Sequence, residues 1–218
     1  DNVDGIYHWD VQTQTLTPRL PLNPQGDFAE IPKAQKSDFE ASAWIEGQVW
    51  IFGSGSAPGR HRLLQVDLQT QTLQTHSLKA LYAQISDQGW EVNIEGASAF
   101  GQGYLLANRG HLGQPQNQLI RVEAEKIVGI QTLVLPPPIF TGLSALEYEA
   151  ETDRLWFTAT TELTGSVYED GQIGDAYLGW IEAFSQNLTS PTLQPSYLVN
   201  LSEWDRRFAG HKIEGLAL

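Results

Sequence analysis

A seven-residue segment occurs twice in this sequence, and it constrains the fold more than any other feature. Residues 10–16 read DVQTQTL and residues 67–73 read DLQTQTL, so six of seven positions are identical at an offset of 57 residues. Each copy follows a short run with alternating apolar residues, residues 6–9 and 63–66, which is the pattern of a half-buried strand. The sequence therefore predicts a repeated unit in which a strand, a polar turn and a second strand follow one another.

Weaker copies continue this series along the chain. Residues 119–123 end 56 residues after Asp67, and residues 178–182 end 59 residues further on. Because four units share one period, and because the period has room for four short strands and a loop, the pattern is typical of the blades of a β-propeller.

A second series lies about half a period away and has the pattern polar, apolar, Glu, small. Its members are residues 38–41, 93–97 and 212–216, with residues 142–145 as a degenerate member in which Ser144 replaces the Glu. Residues 38–41, 93–97 and 142–145 lead through polar or Gly-containing turns into apolar strands at residues 49–52, 104–107 and 155–158, respectively. Each member is therefore predicted to begin the innermost strand of a blade.

These repeats predict an all-β fold, a single β-propeller domain over residues 1–218 with five or six four-stranded blades. The chain opens at Asp1 and ends at Leu218 within a predicted strand, so the first and last blades are expected to be incomplete. A long helical period is absent, and residues 77–83 are predicted to form at most a short helix between blades. Residues 136–138, three prolines, are interpreted as an inter-blade connection because the repeat continues across them.

Composition excludes several classes of function. The chain has 26 acidic and 13 basic residues, a formal charge of −13, so nucleic acid is not expected as a partner, because phosphate binding needs a basic surface. Cysteine is absent, which excludes disulfides and thiolate metal sites. The sequence has no apolar stretch long enough for a membrane span, and it assigns no cellular compartment.

The repeated glutamates are the main candidates for a functional site. If each motif begins an innermost strand, Glu40, Glu95 and Glu214 converge on the central channel, where close carboxylates repel unless they share protons or hold a cation. With Asn93 they are predicted metal ligands, and oxygen ligands of this kind suit Ca²⁺, with Asp38, carbonyls and water able to complete its shell. The alternative is a structural role, in which these carboxylates accept hydrogen bonds within and between the blades.

A second layer of candidates follows the apolar strands. There the predicted substrate-binding residues are Ser54, Asn108, Thr160 and Glu162. Arg60 and Arg109 are predicted to act with Glu95 in catalysis by binding an anionic group, and their alternative role is to pair with nearby carboxylates. Glu162 also opens a long polar insertion in which Glu169, Asp170 and Asp175 are further candidate ligands.

Other chemistries lack their signatures. The five histidines form no HExxH motif or close ligand pair, which argues against zinc, although His61 and His111 follow the two arginine-bearing loops and are candidate bases. No GxSxG elbow is present. Residues 53–59 lack the third glycine of a dinucleotide-binding loop, and no helix is predicted to follow them directly.

The motif residues also resemble a known group of proteins. The segments that carry the resemblance are residues 38–41, 52–56, 93–97, 108–110 and 212–217. They are similar to bacterial β-propeller proteins of uncharacterised function, related in motif style to the "esterase-like activity of phytase" group. This resemblance implies a five- or six-bladed propeller whose Asn and Glu side chains line the channel, in some members around calcium.

Three functions follow from these observations. The first is a metal-assisted hydrolase of phosphoesters or esters, in which a cation held by Glu40, Glu95 and Glu214 activates water and the arginines steady the developing negative charge. Its expected partner is a small molecule, anionic in the phosphoester case. The second is a non-catalytic propeller that binds a ligand or a protein, with structural glutamates in its channel. The third is a structural module that uses its outer loops for interaction.

Overall fold

The computed structural model describes residues 5–10, 12–21, 37–136, 140–165 and 171–218. These residues form four antiparallel sheets in chain order, which we call blades 1 to 4. Blade 1 is a hairpin of β1 (Gly5–Asp10) and β2 (Thr15–Pro21). Blade 2 has the strand order β3 (Phe39–Ile45), β4 (Gln48–Gly53), β5 (Arg62–Asp67) and β6 (Thr72–Ser77).

Blades 3 and 4 have the same antiparallel meander, each with one late addition. Blade 3 consists of β7 (Ile94–Phe100), β8 (Gly103–Asn108), β9 (Asn117–Glu123) and β10 (Lys126–Leu133), with the two-residue β14 (Thr192–Leu193) parallel to β10 at its outer edge. Blade 4 consists of β11 (Thr141–Glu149), β12 (Arg154–Leu163), β13 (Gln172–Glu182) and β15 (Tyr197–Asn200). The helix α1 (Lys79–Ser86) and the 3₁₀ turns Pro58–Arg60 and Phe184–Asn187 connect strands. The short helix α2 (Leu201–Trp204) and the 3₁₀ turn Arg206–Phe208 follow the last strand.

The two copies of the duplicated heptad adopt the same turn. Asp10 Oδ1 accepts hydrogen bonds from the backbone N–H groups of Gln12 and Thr13, both at 2.9 Å, between β1 and β2. Asp67 Oδ1 accepts the equivalent bonds from Gln69 and Thr70, at 2.8 and 3.0 Å, between β5 and β6. Blade 1 therefore corresponds to the outer half of blade 2, as the repeat predicts.

Three apolar clusters hold the blades together, one at each interface. Blade 1 packs through Ile6 and Leu20 on Ile51, Leu64 and Val66 of blade 2. The cluster between blades 2 and 3 includes the α1 side chains Leu81, Tyr82 and Ile85 together with Phe52, Leu63, Ile94 and Leu106. The cluster between blades 3 and 4 includes Leu105, Leu119, Leu143, Leu155, Phe157 and Phe184. This arrangement, in which successive sheets pack face to face, is typical of a propeller.

The all-β class and the propeller-like arrangement are confirmed, and the predicted blade count is wrong. The described residues form four sheets rather than five or six blades. Residues 212–216, predicted to begin an innermost strand, pair with no strand in the described part of the chain; instead, the carbonyl of Ile213 accepts a 2.9 Å hydrogen bond from the Thr158 hydroxyl of blade 4. The predicted number of blades was based on the number of motif copies. A blade forms only where neighbouring strands pair with the strand that carries the motif.

The short helix expected near residues 77–83 is present as α1. Two other predictions lie outside the described residues. These are the inter-blade role of residues 137–138 and the candidate ligands Glu169 and Asp170.

Candidate functional site

The repeated motif places its key residue in a β-bulge in each of three innermost strands. The pairing of β3 with β4 shifts between Phe39 and Ala41, and that of β7 with β8 shifts between Ile94 and Gly96, so Glu40 and Glu95 are the extra residues. The same shift occurs in β11 at Ser144. A bulge locally re-aims the side chain of the extra residue, which explains how one sequence pattern brings Glu40 and Glu95 of two blades close enough to interact.

Glu95 lies at the centre of a network of charged side chains. It is only 6% exposed. Its Oε1 lies 3.3 Å from Arg109 Nη1 and accepts a 3.0 Å hydrogen bond from Asn93, and its Oε2 lies 3.1 Å from Lys212 Nζ. Burial alone would raise the pKa of Glu95, but Arg109 and Lys212 together hold it below the ordinary value. This carboxylate is therefore ionised and fully paired at neutral pH.

Arg109 connects blade 3 to blade 4. Its Nη2 donates a 2.6 Å hydrogen bond to Glu162 Oε2 at the far end of β12. The aliphatic part of Arg109 lies directly against Gly142, where a Cβ atom would collide with the side chain. Glu162 Oε1 also accepts a 3.0 Å hydrogen bond from the backbone of Gly171, so both partners are fixed.

Lys212 carries the C-terminal segment into the same network. Its Nζ lies 3.1 Å from Glu95 Oε2 and 3.3 Å from Glu214 Oε1. Burial opposes the charge on Lys212, but Glu95 and Glu214 raise its pKa above the ordinary value. Glu214, from the third copy of the motif, is thus brought to the same cluster as Glu95.

Glu40 is the carboxyl group that the network leaves without a cation. It is half-buried and has no ion pair or hydrogen bond within the described part of the chain. Burial raises its pKa to about 7, and the charges of Glu95 and Asp38 add to the effect against the opposing charge of Lys212. Glu40 therefore changes its protonation state near neutral pH.

A smaller hydrogen-bonded group adjoins Glu40 at the start of blade 2. Asp38 Oδ2 accepts hydrogen bonds of 2.6 Å from both Arg60 Nη1 and Ser54 Oγ. Arg60 also donates a 2.7 Å bond to Ser56, whose hydroxyl is 2.9 Å from that of Ser54. Arg60 and Ser54, both predicted site residues, thus lie beside the charged network and are held by Asp38.

We call the whole set the axial cluster; its members are Asp38, Glu40, Ser54, Ser56, Arg60, Asn93, Glu95, Arg109, Glu162, Lys212 and Glu214. It contains five carboxyl groups and three cationic side chains. With Glu40 protonated, its net charge is about −1, because the remaining four carboxylates face three cations.

Asn108 and Thr160 lie outside this set. The Asn108 side chain is buried, accepts a 2.6 Å bond from the Asn93 backbone and donates to Glu91 O and Gln118 Oε1, so all its hydrogen bonds link strands of blade 3. Thr160 is fully buried opposite Gly142, and its hydroxyl has no partner among the residues described. Substrate contact by these two residues stays a prediction.

The two candidate histidines are engaged elsewhere. The ring of His61 lies 3.1 Å from the carbonyl of Gly55 and edge-on to Tyr82. His111 Nε2 lies 3.2 Å from Glu91 Oε2, and its Nδ1 accepts a 3.1 Å bond from the Gly113 backbone. Asp175 lies on β13, apart from the axial cluster, and its role as a ligand stays a prediction.

Sequence reasoning missed the role of Lys212, and it named Asp38 as a possible ligand without its pairing to Arg60. Both occupy the polar position two residues before the motif Glu, where the copy at residues 93–97 has Asn93. All three of these side chains contact the cluster. The first residue of the motif is therefore the sequence signal for these contacts. In the copy at residues 212–216 that residue is Lys212, whose ammonium group is a cation of the cluster.

The residues predicted to bind calcium do not form a preassembled coordination shell. Both carboxylate oxygens of Glu95 and one oxygen of Glu214 are already paired with Arg109 or Lys212. Over the described ranges, no group of three His, Asp or Glu side chains is placed to hold a metal ion. Calcium at this position would have to displace Lys212, and the calcium prediction stays a prediction.

The fold and the cluster together define a β-propeller-like protein with a buried polar site where its innermost strands meet. The chain belongs to the family described as "Family of unknown function (DUF6929)", which matches residues 1–218. No match was found among curated proteins. Nothing in these comparisons connects the chain to the phytase-like group.

One solved structure that resembles this chain is Kuenenia stuttgartiensis hydrazine synthase. The two share 9% sequence identity with a TM-score of 0.35, over 82% of this chain and 52% of that one. This chain thus spans about half the length of that protein's chain, and a likeness this distant carries no argument about function. Among the described residues, no helix has both the length and the apolar character needed to cross a membrane.

Proposed function

We propose that the axial cluster is the active site of a hydrolase that acts on an ester or phosphoester, with Glu40 as the general base. The observation that carries the proposal is the position of Glu40: a half-buried carboxyl group, left without a cation, inside a framework of paired charges. A general base is most effective when its pKa lies near the working pH, and the pKa of Glu40 is about 7.

In the proposed reaction, ionised Glu40 takes a proton from water as the water oxygen attacks the carbonyl carbon or the phosphorus. Lys212, which lies at the same cluster and is 20% exposed, stabilises the negative charge that develops on the substrate oxygen. When the bond to the leaving oxygen breaks, Glu40 returns the proton to that oxygen. The products are an acid and an alcohol, and the enzyme regains its starting protonation state.

Arg109 has a positioning role in this scheme. Its guanidinium is buried and binds Glu95 and Glu162, so it fixes the carboxylate that in turn fixes Lys212. Arg60 holds Asp38 in the same way beside Glu40. In the metal-assisted form of the proposal, calcium takes the place of Lys212. This form requires Glu95 to release Lys212 and to bind calcium instead.

The test compares the parent protein with Glu40→Gln on p-nitrophenyl acetate and p-nitrophenyl phosphate. Loss of a general base is expected to lower kcat/KM by about 10²-fold or more, and parental activity is expected to rise with pH through about 7. The matched control is Glu147→Gln, a partly buried carboxyl further along β11 that has no contact with the cluster; its activity should stay within about twofold. Equal activity in the parent and Glu40→Gln would refute the proposal.

Metal analysis separates the two forms of the mechanism. If calcium takes part, purified protein should contain about one equivalent of calcium, and chelation should lower the melting temperature by mass action. If Lys212 supplies the positive charge, chelation should leave both activity and melting temperature unchanged, whereas Lys212→Gln should lower kcat.

A non-catalytic binding propeller is the second candidate function. It is favoured by the pairing of Arg109 with two carboxylates, since this arrangement joins blades 3 and 4 whether or not a reaction occurs. Failure of the parent protein to hydrolyse either substrate class would favour this function over the first.

A further inference from the structure

Blades 2 and 3 form a cavity at the end opposite the axial cluster. It has a volume of about 560 Å³ and opens where the hairpin turns after β3, β7 and β9 come together. Glu40 stands near the start of β3, whereas the cavity is lined by Ile45 at the end of the same strand. The two sites are therefore separated by the length of a strand, and this inference is independent of the proposed hydrolase.

The lining of the cavity combines aromatic and aliphatic side chains with polar ones, among them Gln65 and His76. Trp50 and Tyr104 contribute rings whose centroids are 5.7 Å apart in an edge-on arrangement, and Leu63 and Leu81 lie on the same lining. Interfaces inside a protein are normally close-packed. An unfilled space of this size falls in the range of small-molecule sites, which are mostly apolar with a few placed polar groups.

Tyr104 supplies one such polar group. Its side chain lines the cavity and is only 7% exposed, yet its hydroxyl has no hydrogen-bond partner within the part of the chain that the structure describes. Burial raises the pKa of Tyr104 to about 12, so the hydroxyl is protonated at neutral pH. It is available to donate a hydrogen bond to a ligand or to accept one.

The rim of the cavity is negatively charged. Glu46 and Glu125 lie on two of the hairpin turns, and neither Lys nor Arg is among the lining residues. Glu125 is close enough to Tyr104 to act on its hydroxyl electrostatically. Ala124 and Glu125 both have left-handed backbone angles, with φ of 46° and 61°, a conformation that non-glycine residues adopt at some cost.

We propose that this cavity binds a small organic cation, an apolar or aromatic ring that carries an amine. The ring occupies the space between Trp50, Leu63 and Leu81. The ammonium group lies at the rim beside Glu125, within reach of the Tyr104 hydroxyl.

The test uses two probes with the same ring and opposite charges, phenethylamine and 3-phenylpropanoate, with the full chain. The readout is the indole N–H signal of Trp50 in NMR spectra, identified among those of the seven tryptophans by its loss in Trp50→Phe. Phenethylamine is expected to shift this signal to saturation, and the carboxylate probe is expected to bind at least about tenfold more weakly.

Three variants make the result specific to the cavity. Ala99→Trp places a large side chain at an exposed position of the lining and should abolish the shift, whereas Thr72→Trp, exposed on β6 and away from the cavity, should not. Glu125→Gln leaves the packing unchanged and should weaken phenethylamine about tenfold. The proposal is overturned if phenethylamine gives no saturable shift, if both probes bind equally, or if neither Ala99→Trp nor Glu125→Gln weakens binding.

Discussion

Arg109 of blade 3 and Glu162 of blade 4 form an ion pair of 2.6 Å whose side chains are only 6% and 10% exposed. The pair spans 53 residues of sequence and joins two sheets that also share an apolar cluster and the hydrogen bonds of Asn117 with the backbone of β11. Breaking a buried pair by removing one partner leaves an uncompensated charge, which costs far more than losing an exposed pair.

Arg109→Met should therefore destabilise the protein strongly. The variant leaves Glu162 without a cation and Glu95 with Lys212 alone, so the free energy of unfolding is expected to fall by about 3–5 kcal/mol. Urea unfolding followed by tryptophan fluorescence measures the change. The control is Arg154→Met, which removes an exposed pair with Glu182 at 3.4 Å and should cost less than about 1 kcal/mol. Similar losses in the two variants would contradict the prediction.

Gly142→Ala should act on the same pair from the opposite side. A Cβ atom at this position collides with the side chain of Arg109, so the guanidinium must move away from Glu95 and Glu162. We expect a lower midpoint of urea unfolding and, under the proposed function, a lower kcat. Gly59→Ala is the matched control, because nothing lies within 4 Å of its added Cβ atom. An unchanged midpoint in Gly142→Ala would show that Arg109 is not held against this glycine.

Glu40 should make the stability of the protein fall as the pH rises from about 4.5 to about 7. Its pKa is raised from 4.5 in the unfolded chain to about 7 in the folded state, so in this window the folded state binds more protons than the unfolded state. Stability linked to this group is complete below pH 4.5 and is lost as the pH passes through 7, with a maximum slope of about 1.4 kcal/mol per pH unit.

Glu40→Gln should remove this dependence, so the difference in unfolding free energy between variant and parent should grow in favour of the variant from pH 4.5 to pH 8. Urea unfolding at a series of pH values measures the difference. Glu151→Gln, in an exposed turn of blade 4, is expected to follow the parent curve. A constant difference between Glu40→Gln and the parent across this range would rule out a raised pKa at Glu40.

The two duplicated turns should respond alike to the same substitution. In each, one Asp oxygen accepts two backbone N–H groups, and the bonds from Thr70 and Gln69 hold the pKa of Asp67 below its ordinary value. Asp10→Ala and Asp67→Ala should both lower the melting temperature, and the effect of Asp67→Ala should decrease in acid as the parent carboxylate becomes protonated. A lower melting temperature in only one of the two variants would mean that the two turns do not contribute equally to the stability of the protein.

The repeat in the sequence predicted the strands and the positions of the motif glutamates because both depend on local patterns. Alternating apolar residues define a strand, and a polar–apolar–Glu–small segment marks the bulge in β3 and β7. The same segment at residues 212–216 pairs with none of the strands that the structure describes, because pairing depends on a neighbouring strand and not on the segment itself. The number of blades was wrong for the same reason.

The chemistry of the site was harder to predict, since it depends on contacts between distant residues. The sequence identified Glu95, Arg109 and Glu162 as candidates, but it did not indicate that Arg109 would bind both carboxylates or that Lys212 would bridge Glu95 and Glu214. The cavity between blades 2 and 3 has no repeated motif. It arises from three hairpin turns whose meeting point is set by the packing of the sheets.

Glu40, Glu95 and Ser144 each lie in a β-bulge. The residue type at a bulge can change without disrupting the pairing of the sheet. The extra residue takes no regular place in the ladder, so replacing Glu by Ser there leaves the hydrogen bonds of the strand intact. The charge at this position of a blade is thus set by one side chain and differs between blades of the same chain, as Glu95 and Ser144 do here.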